Sequence, residues 1–179
     1  MREIRLPLGQ ETATSLRVGD EVTLTGWVLT GRDKACARLH AALQAGEPLP
    51  VELGGQLLYF VGPTPARPGD VIGAAGPTTT SRMNPFLPDL LCHGLRGFIG
   101  KGYVSRQVKD ALVEHRGVYF GAVGGTGALL SKAIERVEVV AFDELLSEAI
   151  HRFQLHRFPA VVLFDTDGGD LYEEAIASE

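Results

Sequence analysis

From Val71 to Leu91 the sequence runs through three patterns in succession. A short apolar run, Val71-Ile72-Gly73-Ala74-Ala75, is followed by Gly76-Pro77-Thr78-Thr79-Thr80-Ser81-Arg82-Met83, and then by Phe86, Leu87, Leu90 and Leu91 at helical spacing. The order reads as a buried strand, a tight turn and a helix. Similar successions occupy the middle of the chain, and both ends are richer in strand. That alternation constrains the fold to an α/β or layered α+β domain. At 179 residues the chain suits a single domain spanning 1–179.

The flanking segments follow the same logic. Ile4 to Leu8 reads as a short edge strand, because Pro7 excludes a central one. Thr12 to Gly19 reads as a polar connection. Val22, Leu24, Gly26, Val28 and Thr30 share one face of a strand, with Trp27 on the other. Asp33 is expected to cap a helix striped by Ala35, Leu39, Ala42 and Leu43 and stopped at Gly46. Leu57 to Val61 and Gly97 to Gly100 read as strands. Asn84-Pro85 is expected to open a helix in which Pro88 costs one early hydrogen bond. Ser105 should cap a helix over Val108, Ala111 and Leu112. Val118 to Val123 reads as a strand, and Gly124-Gly125-Thr126-Gly127 as a turn into a helix reaching Ile134. Val137 to Val140 and Phe158 to Asp165 complete the strands, with a short helix over Asp143 to Ala149 between them. Asp167 to Asp170 is expected as a hairpin turn into Leu171-Tyr172.

Composition narrows the function classes. The formal net charge of −5 disfavours nonspecific nucleic-acid binding. No apolar run approaches the roughly 20 residues that cross a bilayer, and the first residues lack the apolar core of a signal peptide. The expected location is the cytoplasm. Two cysteines, Cys36 and Cys92, make neither a disulfide framework nor a zinc site, and an iron–sulfur cluster takes several thiolates. The five histidines show no ligand-like spacing.

Three cations stand out. Arg32, Arg82 and Lys101 each lie at the end of an expected strand beside glycine. Singly, each also reads as a solvated turn residue. If the strand ends share one rim, the three converge with the hydroxyls of Thr78 to Ser81 on a site suited to a small dianion such as a dicarboxylate. The glycine-rich 124–127 turn lacks the lysine-hydroxyl ending of a nucleotide loop.

Several motifs taken in order carry a resemblance: Thr30-Gly31-Arg32-Asp33, Tyr59-Phe60-Val61-Gly62-Pro63, Gly76-Pro77-Thr78-Thr79 with Arg82-Met83, Gly100-Lys101-Gly102, Gly124-Gly125 and Phe158-Pro159-Ala160. Their order and spacing resemble the β-subunit, or C-terminal domain, of class I fumarate hydratases and of L(+)-tartrate dehydratase. The resemblance implies a swivelling β/β/α domain paired with an α-subunit that carries three cysteines and a 4Fe-4S cluster. It implies that Arg32, Arg82 and Lys101 hold substrate carboxylates. It also implies that Thr78 contacts substrate and is a candidate for proton transfer, although a threonine hydroxyl is a weak base unless its neighbours activate it. Cys36, Ser81, Asn84 and Tyr103 depart from residues frequent in the family, which bears on substrate identity. The expected function is the β-part of an iron–sulfur hydro-lyase acting on fumarate and malate. Tartrate as substrate, or a stand-alone anion-binding module, are the alternatives.

Overall fold

The computed structural model describes residues 1–123 and 127–179; the 124–126 portion of the expected glycine turn lies outside them. Among the described residues seven strands form one sheet: β1 (Arg2–Arg5), β2 (Glu21–Gly31), β3 (Leu57–Phe60), β4 (Gly97–Gly100), β5 (Val118–Ala122), β6 (Ile134–Ala141) and β7 (Ile150–Phe164). The helices are α1 (Gln10–Ser15), α2 (Asp33–Gln44), α3 (Leu87–Cys92), α4 (Arg106–Glu114), α5 (Gly127–Leu130) and α6 (Leu171–Ala177).

The sheet runs β1-β2-β3-β4-β5-β7-β6, and a further ladder joins β2 to β7. Strands β2, β3, β4, β5 and β7 thereby close into a barrel. The first four are mutually parallel, and β7 runs against both of its neighbours in the ring. Closure gives each of these five strands a neighbour on both sides and leaves only β1 and β6 as edges among the described residues.

Side-chain parity explains why both faces are apolar. Leu57, Tyr59 and Val61 enter one buried cluster with Ile99, Val118, Phe120 and Phe158. Their neighbours Leu58, Phe60, Phe98 and Tyr119 enter a second cluster with α2, α3 and α4. Successive strand residues point to opposite faces, so the first cluster fills the barrel and the second lies beneath the helices. The Tyr59 ring stands 5.4 Å from Phe158 and 6.3 Å from Phe153, although β3 and β7 share no ladder. These contacts therefore cross the interior, and each ring buried there contributes about 1.5–3 kcal/mol.

Several expectations change. The Val71–Ala75 run is no strand: it folds back on Thr64, whose N–H donates to the Ala74 carbonyl at 3.1 Å and whose Oγ1 accepts from Ala74 N at 2.8 Å. The Thr64 hydroxyl and backbone, with the Gly127 carbonyl accepting from Ala75 N at 3.0 Å, satisfy its backbone without a ladder. Residues 10–15 are helix α1, anchored by buried Ala13. Arg32, not Asp33, is the N-cap residue of α2, and Asp33 is its first turn. Residues 80–83 form a 3₁₀ turn, and α3 starts only at Leu87, so Pro88 falls in the first turn, where an N–H has no helical partner to lose. Asn84 instead accepts from Ser105 N at 3.2 Å, while Ser105 caps α4 as expected. Ile134 opens β6 rather than ending a helix, and Asp143–Glu148 is a pair of 3₁₀ turns broken at Leu146. The final strand starts at Ile150, and Leu171-Tyr172 opens helix α6, capped by Asp170.

Candidate functional site

The parallel strands β2 to β5 all end on one rim. In register, Gly31 pairs with Phe60, and Gly100 with Gly121, which sets the residues that follow each strand on a common level. The β3–β4 ladder ends at Tyr59 and Ile99. Beyond it the Thr78–Thr80 segment is bonded to both strands. Thr78 N donates to the Phe60 carbonyl at 2.8 Å, and Thr80 N donates to the Lys101 carbonyl at 3.0 Å. The hydroxyl-rich stretch is thus an inserted rung between two strand ends. Inside the barrel, the Tyr59 hydroxyl donates to the Ala75 carbonyl and holds the approach to Gly76; burial raises that phenol's pKa, so it stays protonated.

Thr80 explains why Gly100 is glycine. A Cβ there would lie 2.0 Å from Thr80 Oγ1 and 3.0 Å from Phe60, an impossible approach. The space is taken by a hydroxyl that accepts from Lys101 N at 3.1 Å and meets Tyr119 Oη at 3.0 Å. Tyr119 in turn donates to the Gly102 carbonyl at 2.8 Å. Lys101 therefore stands on a backbone fixed from both sides.

The three expected cations occupy different settings. Arg32 is one-quarter exposed and lies across Gly62, whose hydrogen leaves room for the guanidinium. Glu148 approaches its Nε at 3.8 Å and Asp33 at 3.9 Å, too long for hydrogen bonds, and Nε has no bonding partner among the described residues. Arg82 lies exposed in the 3₁₀ turn, and Lys101 is exposed at the end of β4. Among the described residues neither has a carboxylate within ion-pair distance, whereas Lys109 is held by Asp170 at 2.6 Å and Glu173 at 3.0 Å. The bond to Asp170 raises the pKa of Lys109.

A cleft of about 400 Å³ opens beside this rim, lined by Gly76, Pro77, Gly100, Lys101 and Tyr172 among others. Of the expected residues only Lys101 lines it; Arg32, Thr78 and Arg82 do not. Glu148, Tyr119 and Tyr172 were not foreseen. No spacing rule finds them, because each meets its partner only through the closed barrel or the return of α6.

The chain's own residues do not fit an iron–sulfur cluster. Burial, with Asp33 adding, raises the pKa of the Cys36 thiol, which keeps it protonated, and Cys92 is an exposed thiol at the end of α3. Among the described residues no three His, Cys, Asp or Glu side chains converge. Nor is any described helix long and apolar enough to cross a membrane.

Comparison with known proteins adds the decisive observation: the family model described as the fumarase C-terminus matches residues 2–175. The chain belongs to this family. It is 36% identical over 178 residues to the anaerobic class I fumarate hydratase of Escherichia coli, covering 98% of this chain and 32% of that protein. It is 36% identical over 162 residues to fumarate hydratase 2 of Leishmania major, covering 89% of this chain and 28% of that one. A protein assigned as an L(+)-tartrate dehydratase β-subunit in Methanocaldococcus jannaschii is 33% identical over 173 residues, covering 93% of this chain and 89% of the relative. The chain thus spans about a third of the length of the fumarate hydratases it matches.

Proposed function

We propose that this chain is the β-part of a class I hydro-lyase that hydrates fumarate to L-malate reversibly, active with a cluster-bearing α-type subunit. The observation that carries the reading is the Thr78–Thr80 rung between β3 and β4, flanked by Arg82 and Lys101 with no carboxylate in ion-pair distance among the described residues, in a member of the fumarase C-terminal family. In this reading Arg32, Arg82 and Lys101 bind the substrate carboxylates. Convergent cations suit a small dicarboxylate, and a guanidinium forks onto a carboxylate. Thr78 contacts the reacting end of the substrate and is the candidate for moving its proton. The 4Fe-4S cluster, which supplies Lewis-acid chemistry to the hydroxyl that leaves, belongs to the partner. This barrel with its helical cover acts as the swivelling β/β/α domain that closes over the site, in the cytoplasm.

Tartrate is the second reading, favoured by the relative of matching length. One additional hydroxyl separates the substrates.

The test is co-expression with an α-type chain bearing three suitably spaced cysteines, followed by anaerobic assay on fumarate, L-malate and L-tartrate. A brown complex that hydrates fumarate is expected. A brown complex active on tartrate alone selects the second reading. Anion binding with no activity on any of the three leaves a stand-alone binding module and removes the hydro-lyase.

A further inference from the structure

We infer that Tyr172 donates its phenolic hydrogen to a carboxylate oxygen of the anion held at Lys101. The inference rests on the anion-binding reading of the same rim.

Lys101 N donates to Thr80 Oγ1, and Tyr119 Oη spends its hydrogen on the Gly102 carbonyl. The Thr80 hydroxyl is then the donor in its 3.0 Å bond to Tyr119. On the other side of the same residue, Gly102 N donates to Tyr172 Oη at 3.1 Å. Tyr172 therefore accepts one hydrogen bond and keeps its own hydrogen, which has no acceptor among the described residues.

Its surroundings say where that hydrogen can go. Behind the ring, between Tyr119, Phe164 and Asp170, the free space is about 10 Å³, barely that of one water. In front is the cleft of about 400 Å³. Its walls are glycine, proline, alanine, leucine and valine, and among the described residues only Lys101 and Tyr172 bring polar side chains to it. One ammonium and one hydroxyl, the two polar side chains that the described residues bring to the cleft, match the two oxygens of a single carboxylate.

The phenol is also held in place. Asp170 accepts from Tyr172 N at 3.0 Å and from Glu173 N at 3.3 Å, and grips Lys109 on α4, so α6 cannot swing away freely. The Tyr103 ring packs against Tyr172 with centroids 4.8 Å apart and planes tilted by 43°. Tyr103, where the sequence departs from its family, does not itself line the cleft. It buttresses the residue that does.

The test is titration of the ¹⁵N-labelled chain with L-malate, followed through the Gly102 and Tyr103 amides. Tyr172→Phe should raise Kd about tenfold, as loss of a charge-assisted hydrogen bond does. Lys101→Met should weaken it at least as much. Replacing Tyr172 by 3,5-difluorotyrosine separates donation from support of the Gly102 peptide, because the fluorinated phenol is a better donor and a poorer acceptor. Tighter binding while that phenol is protonated, lost as pH rises and the phenolate repels the carboxylate, is expected. Unchanged affinity in Tyr172→Phe, weaker binding by the protonated fluorinated variant, or no response of wild-type amides to L-malate would each overturn the inference. Tyr172-dependent binding together with an inactive reconstituted pair would leave it standing and remove only the hydro-lyase reading.

Discussion

On the outer wall of the barrel, Arg136 and Arg152 share Glu138 at 3.0 and 2.6 Å and lie over the Trp27 ring at 5.4 and 4.3 Å. At the strand-end rim, Arg82 and Lys101 face no carboxylate among the described residues, and Arg32 meets acids only beyond hydrogen-bond distance. Both regions collect cations on the same fold, yet only the wall gives each of them a carboxylate oxygen at hydrogen-bond distance. Glu138, held below its ordinary range by the Arg152 hydrogen bond, marks the wall as a finished ion pair. The rim has fixed its backbone through buried Thr80 and Tyr119 and has left Arg82 and Lys101 without a carboxylate among the described residues. A charge with its partner already present contributes small increments of stability. A charge on a rigid support without a partner is suited to binding.

That contrast can be broken experimentally. The largest effect is expected from Arg82→Ala in the reconstituted pair, with kcat/KM falling about a hundredfold or more as a charged substrate contact is removed, and the unfolding midpoint unchanged because the side chain is exposed. Near-normal turnover would place Arg82 with the wall residues. Next comes Gly100→Ala, whose methyl collides with Thr80 Oγ1. Unfolding free energy by urea titration should drop by about 3 kcal/mol, and an unchanged value would show the support of Lys101 to be soft. Arg152→Ala should cost about 1 kcal/mol or less in the same titration and leave turnover intact, since half-exposed pairs and ring contacts are worth little. The smallest effect concerns His151, buried on β7 between the two regions, its backbone N–H on Thr30. Desolvation lowers its pKa below the ordinary 6.5, against the opposing contact with the Ala149 carbonyl. The unfolded chain then takes up the proton first. The contribution is complete above about pH 6.5 and is lost as pH falls through the folded value. His151→Gln should flatten that part of the stability profile; an unchanged slope would assign it to another group.

Much of the barrel was legible in the chain. The run Leu57-Leu58-Tyr59-Phe60 read as an apolar strand, and Val22, Leu24 and Val28 as one face of another, because period-two patterning is written residue by residue; the structure buries the first on both faces and turns the second inward. Ser105 declared its cap for the same local reason. Where local chemistry competed, the sequence misled. Val71–Ala75 is apolar enough for a strand, yet Thr64 satisfied its backbone first, and Leu171-Tyr172 looked like a returning strand until Asp170 capped it into a helix.

Local patterning along the chain was enough to make short strands alternate with helices, to end strands at glycines, and to set hydroxyls and cations after those ends. Each depends on neighbours within a few residues. Closure of the whole barrel set the rest: β2 meets β7 to complete the ring, Thr78–Thr80 is threaded between β3 and β4, and Glu148 and Tyr172 come back to Arg32 and Gly102. Those contacts join segments far apart along the chain. Their selection depends on how the whole apolar interior closes, not on any pattern that one segment carries.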